Sequence, residues 1–192
     1  TTAQIETLFA ENFVLLSGDA IDTLLSLGLG HLAGVQSASW MRQNSGAYTF
    51  EQVTNGRIYT GVPNARASSV ISGADALDIA YLPDVSTAEY SALYDSFRNR
   101  RAACEVVVEN RVVLYPFGRF GSPQEIPPML LNDVRQEILQ DVLSSSGRMM
   151  TPMVEKNPYL VPYVFSDENA TYLYLVNGAL DAADGVPLRF AE

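Results

Sequence analysis

The chain has 192 residues, of which 47% are hydrophobic and 18% charged, a composition that excludes an intrinsically disordered polypeptide. Its formal net charge is −10, which is the wrong sign for a protein that binds the phosphate backbone of nucleic acids. A single cysteine, Cys104, and a single histidine, His31, exclude an internal disulfide and a metal centre built from several cysteines or histidines. The apolar stretches are far shorter than a membrane span. We therefore expect no cofactor, metal, nucleic-acid partner or membrane partner.

The first 35 residues follow the order helix, strand, helix. Apolar residues have helical spacing over Thr2–Ala10, and the wholly apolar run Phe13–Leu16 predicts a short buried strand. Ser17 or Asp19 can cap the next helix, which ends at Gly28. This order is typical of α/β domains. Because a buried strand needs neighbours on both sides, we expect that further strands come from chain upstream of this sequence.

The next part of the chain, residues 36–101, has short apolar segments separated by turns rich in asparagine, glycine and aspartate. This spacing predicts antiparallel strands. The predicted strands are Val35–Met41, Ala47–Phe50, Arg57–Val62, Leu77–Leu82 and Tyr90–Phe97. A hairpin follows, with Ala103–Val108 and Arg111–Tyr115 joined at Glu109-Asn110. A strong amphipathic helix is then predicted over Leu130–Leu143.

The C-terminal residues predict a small all-β unit. Tyr159–Ser166 and Thr171–Val176 form a hairpin around the turn Asp167–Ala170, and Val186–Phe190 supplies a further strand. We predict two domains. Residues 1–147 form an α/β domain with a β-rich insertion over 36–101, and residues 148–192 form a small antiparallel β-sandwich.

Three segments together carry a resemblance to a family. FVLLSGDAIDTLLSLGLGHLAGV (Phe13–Val35) resembles the strand, turn and helix of glutamine-amidotransferase-like domains in bacterial glycosidase-related proteins. NRVVLYPFG (Asn110–Gly118), with the helix after it, resembles the returning strand and last helix of that domain. Tyr159–Phe190 resembles the small β-sandwich that follows. The layout is similar to the region after the catalytic barrel in β-galactosidases with a trimerisation domain.

The resemblance implies a partial flavodoxin-like or amidotransferase-like layer, and it implies that catalytic carboxylates lie in an upstream barrel. Active amidotransferases carry a nucleophilic cysteine on a strand-to-helix elbow, a setting that Cys104 does not have, so glutaminase activity is not expected. We expect a non-catalytic accessory or oligomerisation region of a larger carbohydrate-processing protein. Its partners would be the upstream domains, further copies of itself and a carbohydrate. The bacterial cytoplasm is favoured over other compartments. The alternative is a free-standing carbohydrate-binding or interaction module.

Aromatic residues are the candidates for a carbohydrate contact, because an aromatic face packs against the C–H surface of a sugar. The candidates are Trp40, Tyr48 and Tyr59, with Arg119 as a polar contact, although alternating aromatics in strands also form cores.

No catalytic residue is predicted. Glu105 and Glu109 lie about 13 Å apart along a strand, too far for a glycosidase pair, and are expected to face solvent. The carboxylates of Asp133, Glu137 and Asp141, interleaved with Arg135, are expected to form a solvated helix stripe.

Overall fold

The computed structural model describes residues 1–42, 45–68, 74–119, 132–146, 152–154, 160–178 and 180–190. These ranges contain a 3-10 turn, Gly30–Ala33, and three α-helices, which are α1 (Thr2–Glu11), α2 (Gly18–Ser26) and α3 (Asp133–Ser145). They also contain the strands β1 (Val14–Ser17), β2 (Val35–Met41), β3 (Phe50–Val53), β4 (Ile58–Tyr59), β5 (Val62–Pro63), β6 (Arg66–Ser68), β7 (Asp75–Tyr81), β8 (Thr87–Glu89), β9 (Ser91–Tyr94), β10 (Arg100–Ala103), β11 (Val106–Val108), β12 (Val112–Tyr115), β13 (Phe117–Gly118), β14 (Met153–Val154), β15 (Leu160–Ser166), β16 (Thr171–Asn177) and β17 (Leu188–Arg189).

Most of these strands pair antiparallel in small sheets. The strand orders are β1-β12-β11-β8, β10-β9-β3-β6 and β13-β7-β2, with three further two-stranded pairs. In the described residues, β1 and β12 form the single parallel pair, with Val14 opposite Val112. The predicted α/β layer is therefore wrong: the fold is mostly β.

The error has a physical reason. A parallel layer needs a crossover helix between successive neighbouring strands. Here β12 instead reaches β1 after forming a hairpin with β11, and β8 continues that sheet antiparallel. The helix–strand–helix order of the first 35 residues gave a correct local assignment but does not extend through the domain.

The sheet β1-β12-β11-β8 has two buried faces. Its alternate residues, such as Val106 and Val108, pack with α1, α2, β2 and β7 in one core. Val107 and Val113 point to the opposite face and pack with α3 in a second core. Helix α3 therefore lies across this sheet from α2.

Several local predictions are confirmed. Ser17 caps α2, and its hydroxyl accepts a hydrogen bond from the Ala20 amide at 3.4 Å. The hairpin turn falls at Glu109 and Asn110, which both adopt the left-handed conformation that tight hairpin turns require. The β15–β16 hairpin also forms with the predicted turn. Tyr159 and the predicted domain boundary at 147/148 lie outside the described residues, so the division into two domains stays a prediction.

Candidate functional site

Two of the predicted carbohydrate-contact residues are buried. The Tyr48 hydroxyl donates a hydrogen bond to the Ala74 carbonyl, and burial raises the pKa of this phenol. The Tyr59 hydroxyl donates to Asp141 Oδ2 at 2.6 Å and accepts from Asn55 Nδ2 at 2.8 Å. Neither ring offers a face to a solute, and both belong to the core.

The other two predicted residues, Trp40 and Arg119, are in contact at the surface. The Arg119 guanidinium carbon lies 4.2 Å from the centroid of the Trp40 ring. Trp40 Nε1 donates to Asp22 Oδ2 at 3.0 Å, and the same oxygen lies 3.8 Å from Arg119 Nη2. The Arg119 amide donates to the Asp19 carboxylate at 3.1 Å. We call these four residues the Trp40–Arg119 cluster.

The cluster depends on Gly118, which precedes Arg119. A Cβ atom at this glycine would lie 2.7 Å from Trp40 Cη2 and 2.8 Å from Asp19 Cγ, closer than real Cβ contacts. Because Gly118 has no side chain, the Arg119 guanidinium can stack on one face of the half-buried Trp40 indole. A sugar would have to displace that guanidinium or use the rest of the ring, and the predicted carbohydrate contact stays a prediction for Trp40 and Arg119.

A second group of polar residues lies inside the molecule, and it includes side chains for which the sequence pattern predicts exposure to solvent. Arg135 on α3 donates to Glu51 Oε2 on β3 from Nε at 2.8 Å and from Nη2 at 2.7 Å. The Ser91 hydroxyl donates to Glu51 Oε1 at 2.6 Å and accepts from the Glu105 amide at 3.1 Å. All four residues are buried. We call them the buried Glu51–Arg135 cluster.

The expected exposure is wrong for Glu105, which is buried, and only partly right for the α3 stripe, since Asp133 is exposed but Glu137 and Asp141 are half-buried. Arg135 is buried, Glu137 Oε2 accepts from the Thr60 amide at 2.5 Å, and Asp141 pairs with Arg57. The reason is that α3 packs against the β4–β5 hairpin and β6, which are distant in sequence. Helical spacing alone does not reveal which face of a helix meets such a partner.

Glu105 borders a cavity of about 70 Å³ between the sheet and α3. Residues that line this cavity include Val107, Val113, Tyr115, Ile138 and Val142. Burial raises the pKa of the Glu105 carboxyl well above its usual range, and the Glu51 carboxylate raises it further, whereas Arg135 lowers it. Burial therefore favours the neutral form of the Glu105 carboxyl beside an ion pair.

Cys104 lies next to this cluster and is also buried. Burial raises the pKa of its thiol, so the thiol stays protonated and is a poor nucleophile. Cys104 lies between β10 and β11 and packs in the hydrophobic core.

The third feature is the β15–β16 hairpin, which carries an exposed apolar surface. One face of this ribbon has six side chains, all exposed, and we call it the aromatic face; its members are Val161, Tyr163, Phe165, Tyr172, Tyr174 and Val176. Phe165 and Tyr174 touch edge to face, with ring centroids 5.7 Å apart. Neither strand contains a charged residue, and the acidic pair Asp167 and Glu168 lies at the tip.

The residue order of the hairpin already contains a signal for this surface, although the predicted sites do not include it. Both faces of the hairpin carry apolar residues. In a ribbon with one face exposed to solvent, apolar and polar residues would instead alternate along each strand. Leu160 and Pro162 lie near α3 and Val154. Strand β15 is therefore the strand of the hairpin that faces α3, and β16 is the outer strand.

Searches of the described ranges find no group of three or more metal-ligating side chains. They also find no helix that is long and apolar enough to cross a membrane. Comparison of the chain with protein-family models, with curated proteins and with solved structures gives no match.

Proposed function

We propose that this chain is a non-catalytic assembly region that joins copies of a protein through the β15–β16 hairpin. The observation that carries the proposal is the aromatic face. Tyr174 is 59% exposed and Phe165 is 58% exposed, and Tyr163 and Tyr172 are also about half exposed. Four such side chains expose about 400 Å² before the two valines are added, which is as large as the largest apolar patch of a typical monomer.

The absence of charge in both strands points to protein rather than solvent as the neighbour of this surface. The whole chain carries a net charge of −10, yet the strands of the hairpin carry none. Two copies repel each other over most of their surface, and the hairpin is a place where they can approach without pairing like charges.

The wider context that we propose is a larger carbohydrate-processing protein whose catalytic carboxylates lie outside this sequence. The resemblance of three sequence segments is its only support. An immunoblot of source-cell lysate with an antibody against this chain tests it. A band several times larger than 21 kDa supports this context, whereas a band near 21 kDa favours a free-standing interaction module.

Sedimentation velocity over a concentration series tests the assembly function. The wild-type chain should sediment above the monomer mass, and Tyr174→Glu should shift it to the monomer because a carboxylate replaces an aromatic contact. Phe97→Glu is the matched control, since Phe97 is 85% exposed but lies in the β9–β10 turn. A wild-type chain that remains monomeric at 100 μM would overturn the proposal.

A second candidate function, carbohydrate binding, is favoured by the guanidinium–indole stack of the Trp40–Arg119 cluster. Isothermal titration with a set of oligosaccharides should then give heat that Trp40→Ala abolishes and Tyr174→Glu leaves unchanged. If none of the oligosaccharides gives heat, the indole of Trp40 has a packing role only.

A further inference from the structure

The two edges of the hairpin differ in the backbone N–H groups that point away from the ribbon. The Asp167 amide donates to the Ala170 carbonyl at 3.0 Å, which fixes the alternation of bonded and non-bonded pairs along the ribbon. Residues of β16 whose amides point away from β15 include Thr171, Leu173 and Leu175. The corresponding residues of β15 are Leu160, Pro162, Val164 and Ser166.

The edge of β15 is protected against pairing. Pro162 has no N–H group, so the row of outward donors on this edge is interrupted. Leu160 is buried, and Leu160 and Pro162 lie near α3. Charges, prolines, bulges and covering segments are the usual means by which natural proteins protect strand edges. By contrast, β16 contains no charged residue and no proline, and among the described strands it pairs with β15 alone.

We infer that β16 of a second copy of this chain pairs with β16 in antiparallel orientation about a two-fold axis at Tyr174. The product is a four-stranded sheet with the order β15-β16-β16-β15. This inference rests on the proposed self-assembly and adds the edge, the orientation and the register. Every outward amide of β16 then has a carbonyl of the second copy opposite it.

The sequence of β16 matches itself in this register. Tyr174 lies opposite Tyr174 of the second copy, Leu173 lies opposite Leu175 and Tyr172 lies opposite Val176, so every apolar side chain of the strand meets another apolar side chain. Thr171 lies opposite Asn177, which places polar residues together at both ends. This symmetry about one residue favours a second copy over an unrelated partner strand.

The antiparallel orientation also separates the charges. Asp167 pairs with Ala170, four residues from Tyr174 along the ribbon, so the acidic tips of the two copies are about 27 Å or more apart at about 3.4 Å per residue. That distance is several times the Debye length of about 8 Å at physiological salt. A parallel arrangement would instead bring both acidic tips together.

A pair of proline variants tests the edge. Leu173→Pro removes an outward amide from β16, and Val164→Pro removes one from β15 at the position directly opposite. Neither amide bonds within the hairpin, so both hairpins should remain intact, as Pro162 already shows for β15. Hydrogen-exchange protection of the Tyr172 and Tyr174 amides, which do bond within the hairpin, checks this in each variant.

Sedimentation velocity gives the outcome. Leu173→Pro should raise the dissociation constant of the dimer by roughly tenfold or more, because the new ring also obstructs the approaching strand, whereas Val164→Pro should behave as wild type. If both proline variants associate as wild type while Tyr163→Glu, on the aromatic face of β15, does not, the copies meet face to face. The edge inference then fails and the proposed self-assembly survives. A monomeric wild-type chain overturns both.

Discussion

Replacing Glu51 by leucine should strongly destabilise the protein, because it removes the carboxylate to which the buried guanidinium of Arg135 donates two hydrogen bonds. The side chains of Glu51 and Arg135 are 0% and 4% exposed, so solvent does not screen the loss. An arginine cannot release its proton in the interior. Breaking a buried pair in this way costs about 3–5 kcal/mol, a large fraction of the about 5–15 kcal/mol by which a domain is stable.

Two further variants refine this prediction. Burial still raises the pKa of Glu105 once Glu51 is gone, but the Glu51 carboxylate no longer raises it, and this favours ionisation of Glu105 beside Arg135 more than in the wild-type protein. Glu51→Leu/Glu105→Gln should therefore lose more stability than the sum of its single changes. Glu51→Leu/Arg135→Met removes both charges, and it should recover to within about 2 kcal/mol of wild type, with the Ser91 hydroxyl losing one acceptor.

Urea unfolding at pH 7, followed by the fluorescence of the single tryptophan, Trp40, measures these free energies. A protein concentration below that of self-association keeps unfolding separate from dissociation. Glu6→Leu, at an exposed position of α1, is the control and should change stability by at most about 0.5 kcal/mol. If Glu51→Leu costs no more than this control, or if the double change with Arg135→Met gives no recovery, the reasoning is refuted.

Three other predictions concern the same interior. Because burial raises the pKa of Glu105, the folded state holds a proton that the unfolded state releases above about pH 4.5, so stability falls as the pH rises beyond that value. Thermal unfolding should show that Glu105→Gln stabilises the protein more at pH 7 than at pH 4.5, and an equal effect at both pH values would contradict the assignment. Cys104 should react with a disulfide reagent only after denaturant is added, and prompt labelling of the native protein would show that the thiol is accessible. Gly18→Ala should cost more than about 2 kcal/mol in urea unfolding, since the added Cβ would lie 2.3 Å from the Pro116 carbonyl oxygen; a loss below about 0.5 kcal/mol would show that the backbone yields there.

The parts of this protein that depend on neighbouring residues could be predicted from the sequence. The cap of α2, the Glu109-Asn110 turn and the β15–β16 hairpin each follow from a few adjacent residues, whose hydrogen bonds close locally. The predicted strands Val35–Met41, Leu77–Leu82 and Tyr90–Phe97 overlap β2, β7 and β9 for the same reason, whereas the predicted Ala47–Phe50 meets β3 only at its last residue and the predicted Arg57–Val62 is a hairpin of β4 and β5.

The candidate sites needed the tertiary structure. Glu51 and Arg135 are 84 positions apart, and neither the strand nor the helix that carries them marks its residue as buried. The same holds for Trp40 and Arg119, which meet only because β2 and β13 both pair with β7. Residue type alone marks Trp40 and Arg119 as candidates for a carbohydrate contact. It does not show that the Arg119 guanidinium stacks on the Trp40 ring.

The sequence by itself determined the composition of the hairpin strands, their turn and their lack of charge, since these depend on local residue order. Only the tertiary structure decided that the aromatic face is exposed and that β15 lies towards α3, which leaves β16 as the open edge. It also decided that β1 joins a mostly antiparallel sheet. The physical reason is that strand pairing and burial are set by contacts between distant segments, and local periodicity carries no information about which segments meet.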